Sequence, residues 1–363
     1  MPTEIKVVLF EDTAQTQSEI LRALAKHLKP DGTVLPFGNG FEESEDDKKL
    51  MYENRIENIL TKEPFAGSTL LVADRDLSKS VNLGFTGLSV NAVAAAAKKL
   101  AIPICSYARQ PEGDNYDWRG RWEEGHIVLS FSEGEDELAR RASVAARGFA
   151  QIAAELPKVM AVAGNNSAVK ILAALLGKPE YSEKFALYGV GDQNRLSEIL
   201  AQAKLPDQRI QRMTHFLGYW LWDSLLRYPG LLVNEIAAGS YLNIAESDFD
   251  EKKVQVIFEE ALYHGPFEDV KKPQWWRGVL DDIVARENCT DGLALVQKKI
   301  GQAIRRSQCC VDSSKSAGYY CIISRKPVSL ENSKGGLSWF PRGADLTRIS
   351  NPKFDEYGPW LGA

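Results

Sequence analysis

Five short apolar runs punctuate the first 131 residues: IKVVLF, GTVLPFG, TLLVAD, IPICSYA and HIVLSF. They are apolar almost throughout instead of alternating, which is how strands buried on both faces of a parallel sheet read. Between them the apolar positions recur at helical spacing. Ile20, Leu21, Leu24 and Leu28 predict a helix over 13–29, stopped by Pro30-Asp31-Gly32. Leu50, Ile56, Ile59 and Leu60 predict another over 48–60, after a Gly- and acid-rich loop at 38–47. Two Ala-rich stretches, 88–100 and 135–156, complete the series. Strand and helix alternate five times, which predicts an open parallel sheet with helices on both faces.

From 157 to about 288 the pattern is mainly helical. The segments 167–177, 195–205, 209–228, 231–244, 252–263 and 275–288 carry it, with Pro229-Gly230 stopping the longest. No period supports a solenoid. From 289 on the chain changes character again: Gly, Pro and aromatics are frequent, and four of the five cysteines (Cys289, Cys309, Cys310, Cys321) lie there. The apolar content there is too high for a disordered tail, so Trp339, Phe340 and Trp360 are expected to pin this segment to the helical part or to a partner. The expected organisation is 1–156, 157–288 and 289–363.

Length and charge narrow the function. A chain of 363 residues has room for more than one core. A net charge of -5 without a strongly basic block disfavours nucleic acid as the main partner. No apolar stretch has the length of a membrane helix, and the first residues enter a strand without a signal-peptide pattern. An odd number of cysteines in a chain of this size is no disulfide scaffold, so a reduced, cytoplasmic protein is expected. No C-x-x-C pair exists and Cys309-Cys310 adjacency suits one metal poorly, so buried free thiols are expected and no zinc. No phosphate-binding Gly-Lys-Ser loop, zinc-protease motif or nucleophile elbow is present. His215 and His264 are isolated, and Trp220 and Trp222 share an apolar helix as core residues. Nothing in the second half of the chain assembles a catalytic constellation.

The chemistry sits at the strand ends. Glu11 and Asp12 follow the first run and Asp74 closes the third. Ligand sites in such sheets gather at the carboxyl ends of strands, and three carboxylates there repel one another unless a cation joins them. Oxygen-only ligands suit Mg²⁺. The competing reading is local: Asp12 caps the helix that follows.

Residues 5–156 resemble the receiver domain of two-component response regulators. The acidic pair Glu11-Asp12, the setting Asp74-Arg75-Asp76-Leu77-Ser78 after the third strand, and Ser106 at the end of the fourth carry the likeness. Two features depart from it. Ser130-Phe131 stands where the family carries a Lys, and 110–124, with Trp118 and Trp122, reads as a loop where a signalling helix is expected. Packing over the sheet edge is the favoured role for these two tryptophans; a partner surface is the other.

The resemblance implies a flavodoxin-like (βα)5 sheet with Mg²⁺ held by Glu11, Asp12 and Asp74. It implies Asp74 as phosphoacceptor, Ser106 beside it, and a histidine kinase as donor or docking partner. Loss of the Lys implies a weak switch or a persistent phosphoryl group. Arg109 is a poor substitute, since Arg and Lys differ in reach. The expected function is a cytoplasmic signal-transduction protein, an adaptor or phosphate sink with a helical, non-DNA-binding output. It has at most phosphoacceptor chemistry and is otherwise no enzyme. The alternative is a pseudo-receiver that only binds proteins, including in a bacterial conflict or antiphage system.

Overall fold

The computed structural model describes residues 4–38, 44–77, 85, 88–108, 127–131, 133–163, 167–190, 201, 203 and 205–358. Ser78, Arg109, Trp118, Trp122, Trp360 and most of the helix expected at 195–205 lie outside them. Two compact units are interleaved in sequence: Met1–Asn166 with Gln193–Tyr219, and Ser167–Asp192 with Trp220–Ala363.

The first unit is a five-stranded, wholly parallel sheet. Its strands are β1 (Ile5–Phe10), β2 (Gly32–Pro36), β3 (Leu70–Asp74), β4 (Ile104–Ala108) and β5 (Ile127–Ser130), in the order β2-β1-β3-β4-β5. That is the flavodoxin-like order, and the fold is receiver-like. Helices α1 (Ala14–Leu28), α2 (Tyr52–Leu60), α3 (Val90–Leu100) and α4 (Gly134–Ala163) follow β1, β2, β3 and β5.

The continuous apolar runs are explained by burial on both sides. Val8, Phe10, Leu71, Ala73 and Ile104 pack with Ile56, Ile59 and Leu60 of α2 and Val93, Ala96 and Ala97 of α3. Phe37 reinforces that layer, stacked on Phe10 with ring centroids 4.1 Å apart. On the other face α1 and α4 pack against each other. There α1 buries Ile20, Leu24 and Leu28, and α4 buries Leu138, Ala142, Phe149 and Ile152.

Two helices differ from expectation. The helix expected over 48–60 is a turn at Glu45–Lys48 followed by α2 from Tyr52, and Leu50 is exposed instead of facing the core. The helix expected to end near 156 runs on to Ala163 through Pro157.

After α5 (Ala168–Leu175), the long apolar-rich helix α6 (Pro206–Trp220) forms part of the first unit up to Tyr219. A Cβ at Gly218 would collide with the Phe149 ring of α4, so glycine is what lets α4 and α6 approach. Trp220 begins the second segment of the second unit, and its indole N–H donates to the carbonyl of Tyr188 in the first segment at 2.9 Å.

In the second unit, segments expected to be helical begin as strands. β6 (Leu232–Asn234) pairs antiparallel with β7 (Gln274–Trp276), and α7 (Glu235–Tyr241) and α8 (Arg277–Arg286) start directly after them. Short apolar runs such as LLV and QWW fit either state, and the partner strand decides. After α9 (Gly292–Ile300) comes a small mixed sheet. It comprises β8 (Tyr319–Cys321), β9 (Lys326–Val328), β10 (Ser333–Lys334) and β11 (Thr347–Ser350), in the order β10-β11-β8-β9. Helix α10 (Asn351–Tyr357) follows it.

One core joins both parts: Val233, Phe249, Trp275, Leu280 and Val296 pack with Tyr320 and Leu346. Trp339 and Phe340 lie against Tyr228, with centroid separations of 6.4 and 6.1 Å. Among the described residues, no helix is long and apolar enough to cross a membrane.

Candidate metal centre at the carboxyl edge of the sheet

Two strand ends deliver the three acids. β1 stops at Phe10 and the chain turns into α1. Within that turn the Thr13 N–H donates to Glu11 Oε1 at 2.8 Å, the Gln17 side-chain amide donates to the Glu11 carbonyl at 3.0 Å, and the Thr13 hydroxyl donates to Asp12 Oδ1 at 3.3 Å. The N-cap of α1 is Thr13, not Asp12, so the local capping account of Asp12 does not describe this turn. Asp74 ends β3, and the Asp76 N–H donates to its Oδ1 at 3.1 Å.

Glu11, Asp12 and Asp74 are 0, 5 and 6 % exposed, and each offers a carboxylate oxygen within 4.8 Å of the other two. Among the described residues this is the one group of three or more potential metal ligands so placed. At that separation two ionised carboxylates repel by about 3 kcal/mol each pair for an effective dielectric constant near 20. A cation among them would offset that repulsion.

The donor set fits Mg²⁺. Octahedral oxygens at about 2.1 Å from the ion lie roughly 3 Å apart when adjacent and about 4.2 Å apart when opposite, so small side-chain adjustments suffice.

The register assigns the fourth strand differently from the sequence expectation. Asp74 pairs with Tyr107, whereas Ser106 pairs with Ala73 and Val128. Side chains alternate along a strand, so Ser106 shares the face of Ala73, the one packed by α2 and α3, and Asp74 and Tyr107 share the other. Ser106 is fully buried and its hydroxyl has no hydrogen-bond partner.

Tyr107, which sequence reasoning passed over, is the β4 residue that reaches the acids. Its hydroxyl donates to Glu11 Oε2 at 2.7 Å, and its ring stacks on Phe131 at 5.9 Å. Ser130 ends β5 opposite Ala108.

The cysteines lie elsewhere, in the second unit except for Cys105 in β4. None of the five forms a disulfide. Cys309 and Cys321 are buried beside Val328, and each sulfur accepts backbone N–H groups: from Val311 to Cys309, and from Ser324 and Ser350 to Cys321. Amide donors from Asp312, Val311 and Ser329 outweigh burial and draw the Cys309 thiol below its ordinary value. Burial, then the neighbouring Cys309 and Cys321, push Cys310 up.

No protein-family model matches this chain, and comparison with curated proteins finds no match either.

Proposed function

We propose that the first unit is a receiver domain whose Glu11, Asp12 and Asp74 take Mg²⁺ and whose Asp74 accepts a phosphoryl group from a histidine kinase. The observation that carries this is the convergence of three buried carboxylates within 4.8 Å at the carboxyl edge of a receiver-like sheet. Bound there, the cation would neutralise charge on the acids and on incoming phosphoryl oxygens.

The chain's own residues do the rest. Glu11 and Asp12 supply ligand oxygens from one turn. An Asp74 oxygen forms the new O–P bond as the N–P bond of a phosphohistidine breaks, and the departing imidazole nitrogen keeps the electron pair. The Asp76 N–H fixes the Asp74 carboxylate for that approach. In this reading the protein is cytoplasmic, contains no zinc, and passes the signal to its second unit, which serves as adaptor or as the body of a phosphate sink.

One observation favours a second reading. The β4 residue beside Asp74 is Tyr107, whose hydroxyl is engaged by Glu11, while Ser106 faces away. A cation site without phosphoryl support suits a pseudo-receiver that works by binding proteins, as in a bacterial conflict or antiphage system.

Incubation with acetyl phosphate and Mg²⁺ separates the two. The first reading predicts an 80 Da adduct on the intact protein (about the mass of a phosphoryl group, formed by attack of the carboxylate) that is lost in Asp74→Asn. No adduct on wild type, with Mg²⁺ bound, selects the second reading.

A further inference from the structure

We infer that Tyr107 sets the cation specificity of the triad, holding Glu11 so that the site takes Mg²⁺ in preference to the larger Ca²⁺; this rests on reading the triad as a cation site. Glu11 is gripped at both carboxylate oxygens. The Thr13 N–H holds Oε1 at 2.8 Å and the Tyr107 hydroxyl holds Oε2 at 2.7 Å. The Gln17 amide fixes the backbone of the same residue through its carbonyl.

The grip at Oε2 is itself rigid. Tyr107 is fully buried, its ring is stacked on Phe131, and its strand is locked to β3 by the Arg75 N–H donating to the Tyr107 carbonyl at 2.8 Å. Tyr107 belongs to β4 and Glu11 follows β1, with β3 between those strands, so the phenol ties the Glu11 carboxylate across the strand that carries Asp74.

Ion size makes that rigidity selective. Mg²⁺ demands near-ideal octahedral geometry at about 2.1 Å and rewards ligands that are already in place, whereas Ca²⁺ takes six to eight oxygens at roughly 2.3–2.6 Å and favours carboxylates free to swing into bidentate contact. A Glu11 held from both sides opposes that swing. Outer residues that orient a ligand in this way commonly control metal affinity, and their loss costs about 10–100-fold. The plainer account is that Tyr107 only satisfies a buried hydroxyl, in which case its loss lowers stability and leaves the ratio of the two affinities alone.

The test is calorimetric titration of the full chain with Mg²⁺ and separately with Ca²⁺, in wild type and Tyr107→Phe, with circular dichroism to establish folding. The expected result is Mg²⁺ binding weakened at least about ten-fold in the variant and Ca²⁺ binding changed much less, so that the preference collapses. A folded variant with the wild-type ratio overturns the inference and leaves the cation site intact. Wild-type protein that binds neither ion removes the cation site itself, and the inference with it. The wild-type ratio is a check that needs no variant: Ca²⁺ bound as tightly as Mg²⁺ overturns the role given to Tyr107.

Discussion

The hydroxyl of Tyr219 engages both backbone groups of Ile104, accepting its N–H at 2.8 Å and donating to its carbonyl at 2.9 Å. Among the described residues the β4–β5 ladder begins at Cys105, and Ile104 is the first residue of β4. The phenol thus ties α6 to the start of the strand that carries Tyr107 toward the acids. A Tyr219→Phe substitution leaves two backbone groups without partners at a buried strand end. Each such loss costs roughly 1–3 kcal/mol. The full chain is expected to lose about 2 kcal/mol or more in chemical denaturation. Unchanged stability would show that water replaces the hydroxyl.

A pH effect is expected from the second unit. Burial first, then the hydrogen bond and charge of Asp250 and the charge of Glu246, push the Glu235 carboxyl up to about 7 from an ordinary 4.5. The side-chain amide of Gln255 also donates to Glu235, at 3.3 Å. With the folded value above the unfolded one, the folded state holds its proton where the unfolded chain has released it. The associated stability is full below pH 4.5 and is lost as pH rises toward 7. Glu235→Gln is expected to flatten the melting-temperature profile over that window. A variant with the wild-type profile would place the proton elsewhere.

The end of the chain should matter for stability. Leu346 and Tyr320 share the core of the second unit, Thr347 donates its hydroxyl to the Pro229 carbonyl at 3.0 Å, and Tyr357 of α10 is buried. Deleting residues 351–363 removes Tyr357 and the Ser350–α10 junction. The cost is expected to be a few kcal/mol, the scale of one buried aromatic side chain. It should be visible as a lower melting temperature or soluble yield. Full stability with loss of a bound partner would make the segment a docking peptide instead.

Much of the first unit was legible because its signals are local. A continuous apolar run with an acid at its end is visible in one line of sequence, and the alternation with helices then fixes sheet class and brings Glu11, Asp12 and Asp74 to one edge. Tyr107 was not legible, because register is a relation between strands. A shift of one residue exchanges the faces, and ICSYA offers both Ser106 and Tyr107 as hydroxyl donors. β6 and β7 were missed because three-residue apolar runs take their state from a partner forty residues away. Leu50 misled the reading in the opposite sense: it fits a helical stripe, yet the helix starts only at Tyr52 and leaves it in solvent.

The central claim is that Glu11, Asp12 and Asp74 form one cation site, and Mg²⁺ titration of wild type, Asp12→Asn and Asp74→Asn tests it most directly. Buried carboxylates within 4.8 Å predict one weak site per chain in the wild type. Removing either ligand charge should weaken binding at least about ten-fold, since a carboxylate–water site has few ligands to spare. Wild-type protein that takes up no Mg²⁺, or variants that bind it as well as wild type, would contradict the account.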